Sequence, residues 1–192
     1  MIKKLTLLAA LSFPLIASAN WQSDNAQVNF LTTKVTADKN VIIEPNHFAP
    51  SKLTLSDDGK LSGTLDLNTI QSGIDIRNER LRDWVFKTAN GQLSISGQVD
   101  IEPLSKLEIG ESRSIKQALT LTFGDKEATI TLPLLVFKTN DARLQITSLS
   151  PALLDLSAFK VENEVNKLRE VAGLLSISLQ LPVTISATFT AD

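Results

Sequence analysis

The chain has 192 residues, no cysteine, no tyrosine, a single histidine (His47) and a formal net charge of −2. Thiolate nucleophiles, disulfide frameworks and cysteine-ligated metals or clusters are therefore excluded, and imidazole chemistry has to pass through His47. A weakly negative total without a basic cluster argues against a nucleic-acid partner.

Residues 1–19 read as an export signal. Lys3 and Lys4 form a basic start, Leu5 to Ile16 an apolar stretch, and Ala17-Ser18-Ala19 a small-x-small cleavage pattern. The apolar run is too short for a spanning helix, which needs about 20 residues. The expectation is a Sec route to the periplasm with cleavage after Ala19. No Cys follows the apolar stretch, so a lipoprotein anchor is excluded. Met1 is the sole methionine, so the cleaved chain has no sulfur. Residues 20–192 suit one domain. No later segment is long and apolar enough for stable membrane insertion.

Along the rest of the chain, period-two alternation alternates with turn signals. Ala37-Asp38-Lys39-Asn40 and Ser56-Asp57-Asp58-Gly59 read as turns. Leu61, Gly63, Leu65 and Leu67 alternate with Ser62, Thr64 and Asp66, which predicts a strand with one dry face. Asp75 to Phe86 is charged and predicts a short helix or a loop. After Asn90-Gly91, a second strand carries Leu93, Ile95, Gly97, Val99 and Ile101 inward. Leu119, Leu121 and Phe123 predict a third, and Gly124-Asp125 a turn. Ala128 to Val136 predicts a fourth, and Leu144 with Ile146 a fifth after Asn140-Asp141. Glu162 to Leu175 places Val165, Leu168, Val171 and Leu175 at helical spacing, with Gly173 as its end. Ser176 to Phe189 alternates over fourteen residues and predicts one long strand, with Pro182 at an edge or a bend. Gly63 and Gly97 fall on inward faces, where they mark close approach or a bend. The tally is eight or nine strands with one or two short helices, arranged as a barrel or a sandwich.

Few groups suggest chemistry. As a general base His47 would need a nucleophile and an orienting acid, no G-x-S-x-G motif is present, and a surface or capping role competes with catalysis. Asp57-Asp58-Gly59 lacks calcium-loop spacing and reads as a tight turn. Arg77, Arg80 and Arg82 interleave with Asp75, Glu79 and Asp83. This is either a solvated, self-neutralising face or a guard at a pocket mouth that meets a polar or anionic head group. Phe30, Trp84, Phe86, Phe123, Phe137, Phe159 and Phe189 can line a cavity or fill an ordinary core, and alternation does not separate the two.

The segment Leu65-Asp66-Leu67-Asn68-Thr69-Ile70-Gln71-Ser72-Gly73-Ile74-Asp75-Ile76-Arg77-Asn78-Glu79-Arg80-Leu81-Arg82 resembles the signature of the YceI-like family of polyisoprenoid-binding, lipocalin-like proteins. Asp66, Ile70, Gly73, Arg77, Leu81, Arg82 and Phe86 fit its pattern. Thr69 and Ser72 are conservative replacements. Ile74, Asn78 and Arg80 stand where the family usually has Asn, Asp and His. Leu154-Asp155-Leu156-Ser157-Ala158-Phe159 is similar to a second, shorter motif, and Leu181–Phe189 resembles the closing strand.

The resemblance implies an all-β fold: an eight-stranded antiparallel lipocalin-like barrel with one or two short helices and an inner tunnel for a long isoprenoid lipid. The expected partner is an apolar lipid, a bound polyisoprenoid or quinone-like molecule. No other cofactor, no metal, no catalytic residue and no enzymatic role are expected, and a homodimer is left open. The residues expected to meet the ligand are Phe30, Leu65, Leu67, Ile70, Arg77, Asn78, Leu81, Trp84, Phe86, Phe123, Phe137 and Phe159. Arg77 and Asn78 belong to its polar end. The departures at positions 74, 78 and 80 point to a different head group or to none. The rival reading is a secreted β-sandwich interaction module with a dry core. A hydrolase has the least support.

Overall fold

The computed structural model describes residues 20–191. The export signal read from residues 1–19, and Asp192, lie outside them. The strands are β1 (Trp21–Thr36), β2 (Val41–His47), β3 (Ser51–Leu55), β4 (Lys60–Asp66), β5 (Gln92–Gln98), β6 (Ser112–Phe123), β7 (Lys126–Asn140), β8 (Arg143–Ser148), β9 (Ala152–Asp155), β10 (Leu174–Ile177) and β11 (Gln180–Ala191). Short helices are α1 (Asp75–Arg80), α2 (Glu102–Ser105) and α3 (Glu162–Val171).

All strands form one antiparallel sheet. Its path runs β1-β3-β4-β5-β6-β7-β8-β11, and β11 pairs back onto β1. Those eight strands are a closed barrel, as the resemblance implies. The closure overturns the sandwich reading, because a two-sheet sandwich leaves edges that this ring does not have.

β2, β9 and β10 extend the barrel at one end. β2 pairs the second half of β1 on the side where β3 pairs the first half. β9 continues the line of β8 along β11, and β10 continues the line of β11 along β1. Each pair is one barrel strand broken in two. Pro50 and Pro151 sit at two of the breaks and cannot donate to a ladder. The third break, at Ser178-Leu179, corrects the expectation of one strand over residues 176–189. There the Gln180 N–H donates to Ser178 Oγ (3.0 Å) and Leu179 O accepts from the Leu156 N–H (2.9 Å), so a side-chain bond and a bond to the segment after β9 replace the ladder. Pro182 lies opposite Leu153, just beyond the last β1–β11 pair, Phe30↔Val183.

Antiparallel order sorts the connections between two ends. The β1–β2 and β6–β7 hairpins, the α1 region between β4 and β5, and α3 between β9 and β10 share one end. α2 and the other short turns share the opposite end. That opposite half is packed solid. Leu53, Leu55, Leu61, Val99, Leu134, Val136, Leu144 and Phe189 are all buried, Val136 completely. Gly63 and Gly97 serve this tight half by close approach. A Cβ on Gly97 meets Leu119 Cδ2 at 2.8 Å, and one on Gly63 overlaps the Leu53 side chain. β1 bulges between Gln22 and Gln27, and the Asn25 side chain accepts the Thr188 N–H (2.9 Å) that the bulge leaves without a ladder partner.

α3 differs from its expected face. Val161, Val165, Leu168 and Ala172 point at the barrel interior, whereas Val171 is exposed and Leu175 is an exposed β10 residue. The helix ends at Gly173, whose φ of +63° suits a left-handed cap, so Leu175 cannot extend the stripe. The strand expected to reach Ile101 stops at Gln98, and Ile101 precedes α2, an element with too few residues to leave a periodic signal.

Substituting Leu134 by Ala removes a fully packed side chain from a half with no room to relax. The expected loss is about 2–5 kcal/mol, read as a shift in urea midpoint. The same change at Leu121, which borders the hollow half described below, is expected to lower the midpoint less.

Candidate functional site: a hollow half-barrel with a polar rim

The half nearest α1 and α3 encloses a cavity of about 480 Å³. This lies within the usual range for small-molecule sites. Its far wall, from β4 to β7, contributes only apolar side chains: Leu65, Leu93, Ile95, Leu119, Leu121, Phe123, Ile130 and Leu132. Phe30 stacks on Phe48 with centroids 5.3 Å apart, Phe48 meets Phe86 at 6.3 Å, and Phe123 meets Phe159 at 5.6 Å. All five rings border the cavity.

The helical segments form the lid. After α1 the chain passes through a π-helical turn, Leu81–Val85, and a 3₁₀ turn, Phe86–Ala89. Leu81, Val85 and Phe86 face inward. Ile74, Ile76 and Ala172 border the cavity and are also exposed. The opening therefore lies between α1 and the end of α3.

Polarity is graded along the two strands nearest this opening. Inward positions of β1 read Val28, Phe30, Thr32, Lys34, and on the neighbouring chain, in the same direction, Phe48 just past β2 is followed by Asn46 and Glu44 within it. The register Thr32↔Glu44 sets Lys34 and Glu44 as diagonal neighbours on one face. Lys34 Nζ donates to Glu44 Oε1 at 2.9 Å. Arg77 grips the same carboxylate from α1, with Nη1 donating to Oε2 at 2.8 Å and Nη2 to Oε1 at 3.4 Å. Asn46 is buried and donates to Thr32 Oγ1 (3.1 Å) and to the Glu44 carbonyl (3.0 Å). Burial raises the Glu44 carboxyl pKa, but the hydrogen bonds and charges of Lys34 and Arg77 outweigh it and hold the group below its ordinary 4.5.

The structure sorts the residues expected to meet ligand. Phe30, Leu65, Leu67, Arg77, Leu81, Phe86, Phe123 and Phe159 border the cavity. Ile70, Asn78, Trp84 and Phe137 do not. Ile70 is 1% exposed and packs in the core beneath the lid. Asn78 is buried within α1, and its Oδ1 accepts from the N–H (3.0 Å) and hydroxyl (2.6 Å) of Ser72 in the loop before the helix. It positions the helix that carries Arg77. Trp84 turns outward beneath two cations, with Lys167 Nζ 4.0 Å and Arg80 Cζ 5.6 Å from its ring centre. Phe137 lies at the packed end of β7, opposite Ser112 and Gln145. Sequence reasoning missed Lys34, Glu44, Asn46 and Phe48, because it assigned no strand before residue 61. The one signal was the spacing of Val28, Phe30 and Thr32.

The other candidates resolve as plain structure. The His47 side chain is exposed and borders no part of the cavity, and its backbone pairs with Gln71. Asp58 takes hydrogen bonds from Ser56 Oγ and the Lys60 N–H in the β3–β4 turn. Among the described residues no helix is long and apolar enough to cross a membrane, and no group of three or more acidic or imidazole side chains is placed to hold a metal.

Fold and cavity together define the class: a closed, lipocalin-like barrel with a hollow end. No protein-family model matches the chain, and no curated protein does. Solved structures do. A domain from Saccharophagus degradans, described as a polyisoprenoid binding domain implicated in plant cell wall breakdown, is 27% identical with a TM-score of 0.81. The match covers 90% of this chain and 98% of that one. BcnA from Burkholderia cenocepacia shares the fold, with a TM-score of 0.59 and 15% identity over 85% of this chain and 95% of that one. The likeness to the YceI-like family read from residues 65–82 thus holds for the whole barrel.

The Glu44 cluster ties the β1–β2 hairpin to the lid, which sets a pH dependence. A carboxyl whose folded pKa is depressed stabilises the fold above its unfolded pKa, and that contribution is lost as pH falls through the folded value. E44Q is expected to lower the melting temperature near pH 7. Its deficit should shrink once pH falls below the ordinary carboxyl value of about 4.3 and on through the lowered folded value, as the wild-type carboxyl takes up its proton. Paired thermal melts between pH 7 and pH 3.5 measure this, and a constant deficit contradicts it.

Proposed function

We propose that the protein is a periplasmic binding protein that holds one long isoprenoid-type lipid, a polyprenyl chain or an isoprenoid quinone, in the hollow half of its barrel. The observation that carries this reading is the cavity itself: apolar across its far wall, open at one end, and polar only toward that opening. An eight-stranded barrel has an interior that side chains just fill or that holds one ligand. Here one half is filled, and the other keeps its space behind a helical lid. The likeness to a domain described as polyisoprenoid binding supports the ligand class. The export signal read from residues 1–19 supports the compartment. Nothing in the arrangement calls for catalysis, and the role is carriage, storage or stress protection of the lipid.

Affinity in this scheme comes from burial. About 0.8 kcal/mol per methylene gives roughly 3–4 kcal/mol for a five-carbon isoprene unit. A few units offset the ordering cost of association. The lid and the rings of Phe30, Phe48, Phe86, Phe123 and Phe159 exclude water from the tail.

Protein purified from the periplasm is expected to carry a co-extracted isoprenoid lipid, identified by denaturing extraction and lipid mass spectrometry. Filling the cavity tests the location. L121W places an indole in the hollow half, and at least about a tenfold loss of isoprenoid affinity is expected with the far-UV spectrum kept. Protein that is always empty and takes up no isoprenoid quinone in vitro contradicts the reading.

A further inference from the structure

Among the described residues eleven large hydrophobic side chains are exposed, and they are unevenly placed. Eight of them lie on the β1–β2 hairpin, on α1 and its approach, or between the last residue of α3 and β10. These are the elements around the opening of the cavity. Ile74 and Ile76 are 43% and 51% exposed and also border the cavity. Across the opening Ala172 does the same, flanked by exposed Val171 and Leu175. Apolar side chains scattered singly are ordinary, but a ring of them around one opening marks a surface that leaves water when the protein works.

Charge indicates which surface covers the ring. Lys34, Arg77 and Arg80 border the cavity against Glu44, so the rim keeps a positive excess after its ion pairs form. The contrast continues further out. Residues 31–47, 74–87 and 160–177 carry nine lysines and arginines against eight acids, and the remaining described residues carry eight against twelve. An anionic surface is therefore unfavourable beside the acidic body of the barrel and favourable at its mouth. A second copy of the chain is the poorer occupant, because mouth to mouth it sets two positive rims together and closes both cavities. A bilayer with anionic head groups fits on both counts: its head groups meet the cations, and its hydrocarbon boundary takes Ile74, Ile76, Val171 and Leu175. It also joins the cavity to acyl chains without an intervening layer of water. We propose that the hollow end is a membrane-docking face, which seats the mouth reversibly on a bilayer containing anionic phospholipid with α1 and the end of α3 at the head-group boundary. The inference rests on the lipid-carrier reading above and adds the kind of surface the carrier works against.

Flotation of the mature protein with vesicles measures docking. Vesicles of phosphatidylcholine and phosphatidylglycerol in equal parts are expected to bind wild-type protein about tenfold more strongly than pure phosphatidylcholine. Salt at about 1 M, where the Debye length is about 3 Å, is expected to remove that preference. I74S and I76S, made together, are expected to weaken binding about tenfold. I109S replaces an isoleucine that is 58% exposed at the packed end, and is expected to leave binding unchanged. Equal binding to both vesicles, an unchanged double variant, or an equal loss in I109S overturns the proposal. So does wild-type protein that binds neither vesicle, and if it also sediments as a dimer the face belongs to a second copy. The wild-type comparison needs no variant and stands as the test if the double variant does not fold. Uptake of a short-chain isoprenoid quinone added from ethanol, measured without vesicles, separates this inference from the carrier reading. Uptake without docking overturns the inference and leaves the carrier reading standing, and docking without uptake does the reverse.

Discussion

β1 pairs β11 from Trp21↔Ala191 to Phe30↔Val183, and this ladder turns an open sheet into a ring. The rest of the molecule depends on it. A ring leaves no edge among its eight strands, so the interior is reached only through the two ends. One end is stopped by packed leucine, valine and phenylalanine around Val136. That plug gives the barrel its stability in a region that no ligand touches. The other half can then keep an empty space, because its walls are held by hydrogen bonds to strands anchored in the plug.

The hollow half is shaped by what continues past the ring. β1 runs on to Thr36 and takes β2 and β10 with it, which lifts the inner wall above the barrel proper. Along that wall, side-chain polarity rises from Val28 to Lys34 and from Phe48 to Glu44. The lid approaches from the other side on α1, held in place by Ser72 and Asn78. Arg77 joins the two at Glu44. This contact is electrostatic and partly dry, with the Glu44 side chain 26% exposed, so it is stronger than a surface pair and more sensitive to loss of one partner. A single carboxylate therefore both fastens the lid and sets the character of the opening.

Much of the wall was legible as a pattern. Strands β4 to β8 alternate cleanly because one face packs inward along their whole length, in the plug or in the cavity, and either surrounding favours the same apolar residues. That equivalence is also why the cavity was not legible. Leu134 fills the plug and Leu132 borders the hollow, two residues apart on β7, and nothing in their types tells them apart. β1 escaped notice because it changes surroundings twice: bulged near Asn25, apolar at Phe30, polar at Lys34. The strand expected over residues 176–189 kept its alternation through a break, since Ser178 and Gln180 are as polar as the ladder positions they replace.

Residue order by itself determined the inward faces of β4 to β8 and β11, the turns at Gly59, Asn90-Gly91 and Gly124, a short helix near residue 165, and the likeness carried by residues 65–82. Local periodicity and backbone freedom are written in neighbouring residues, so a linear reading reaches them. Tertiary structure alone decided which inward faces meet and which stand apart. It turned Trp84 outward and made Asn78 a brace instead of a contact. It also brought Lys34 and Arg77, 10 and 33 positions from Glu44 in sequence, onto that one carboxylate. Such contacts arise from the register of a hairpin and the angle of a lid, quantities fixed only when the ring closes.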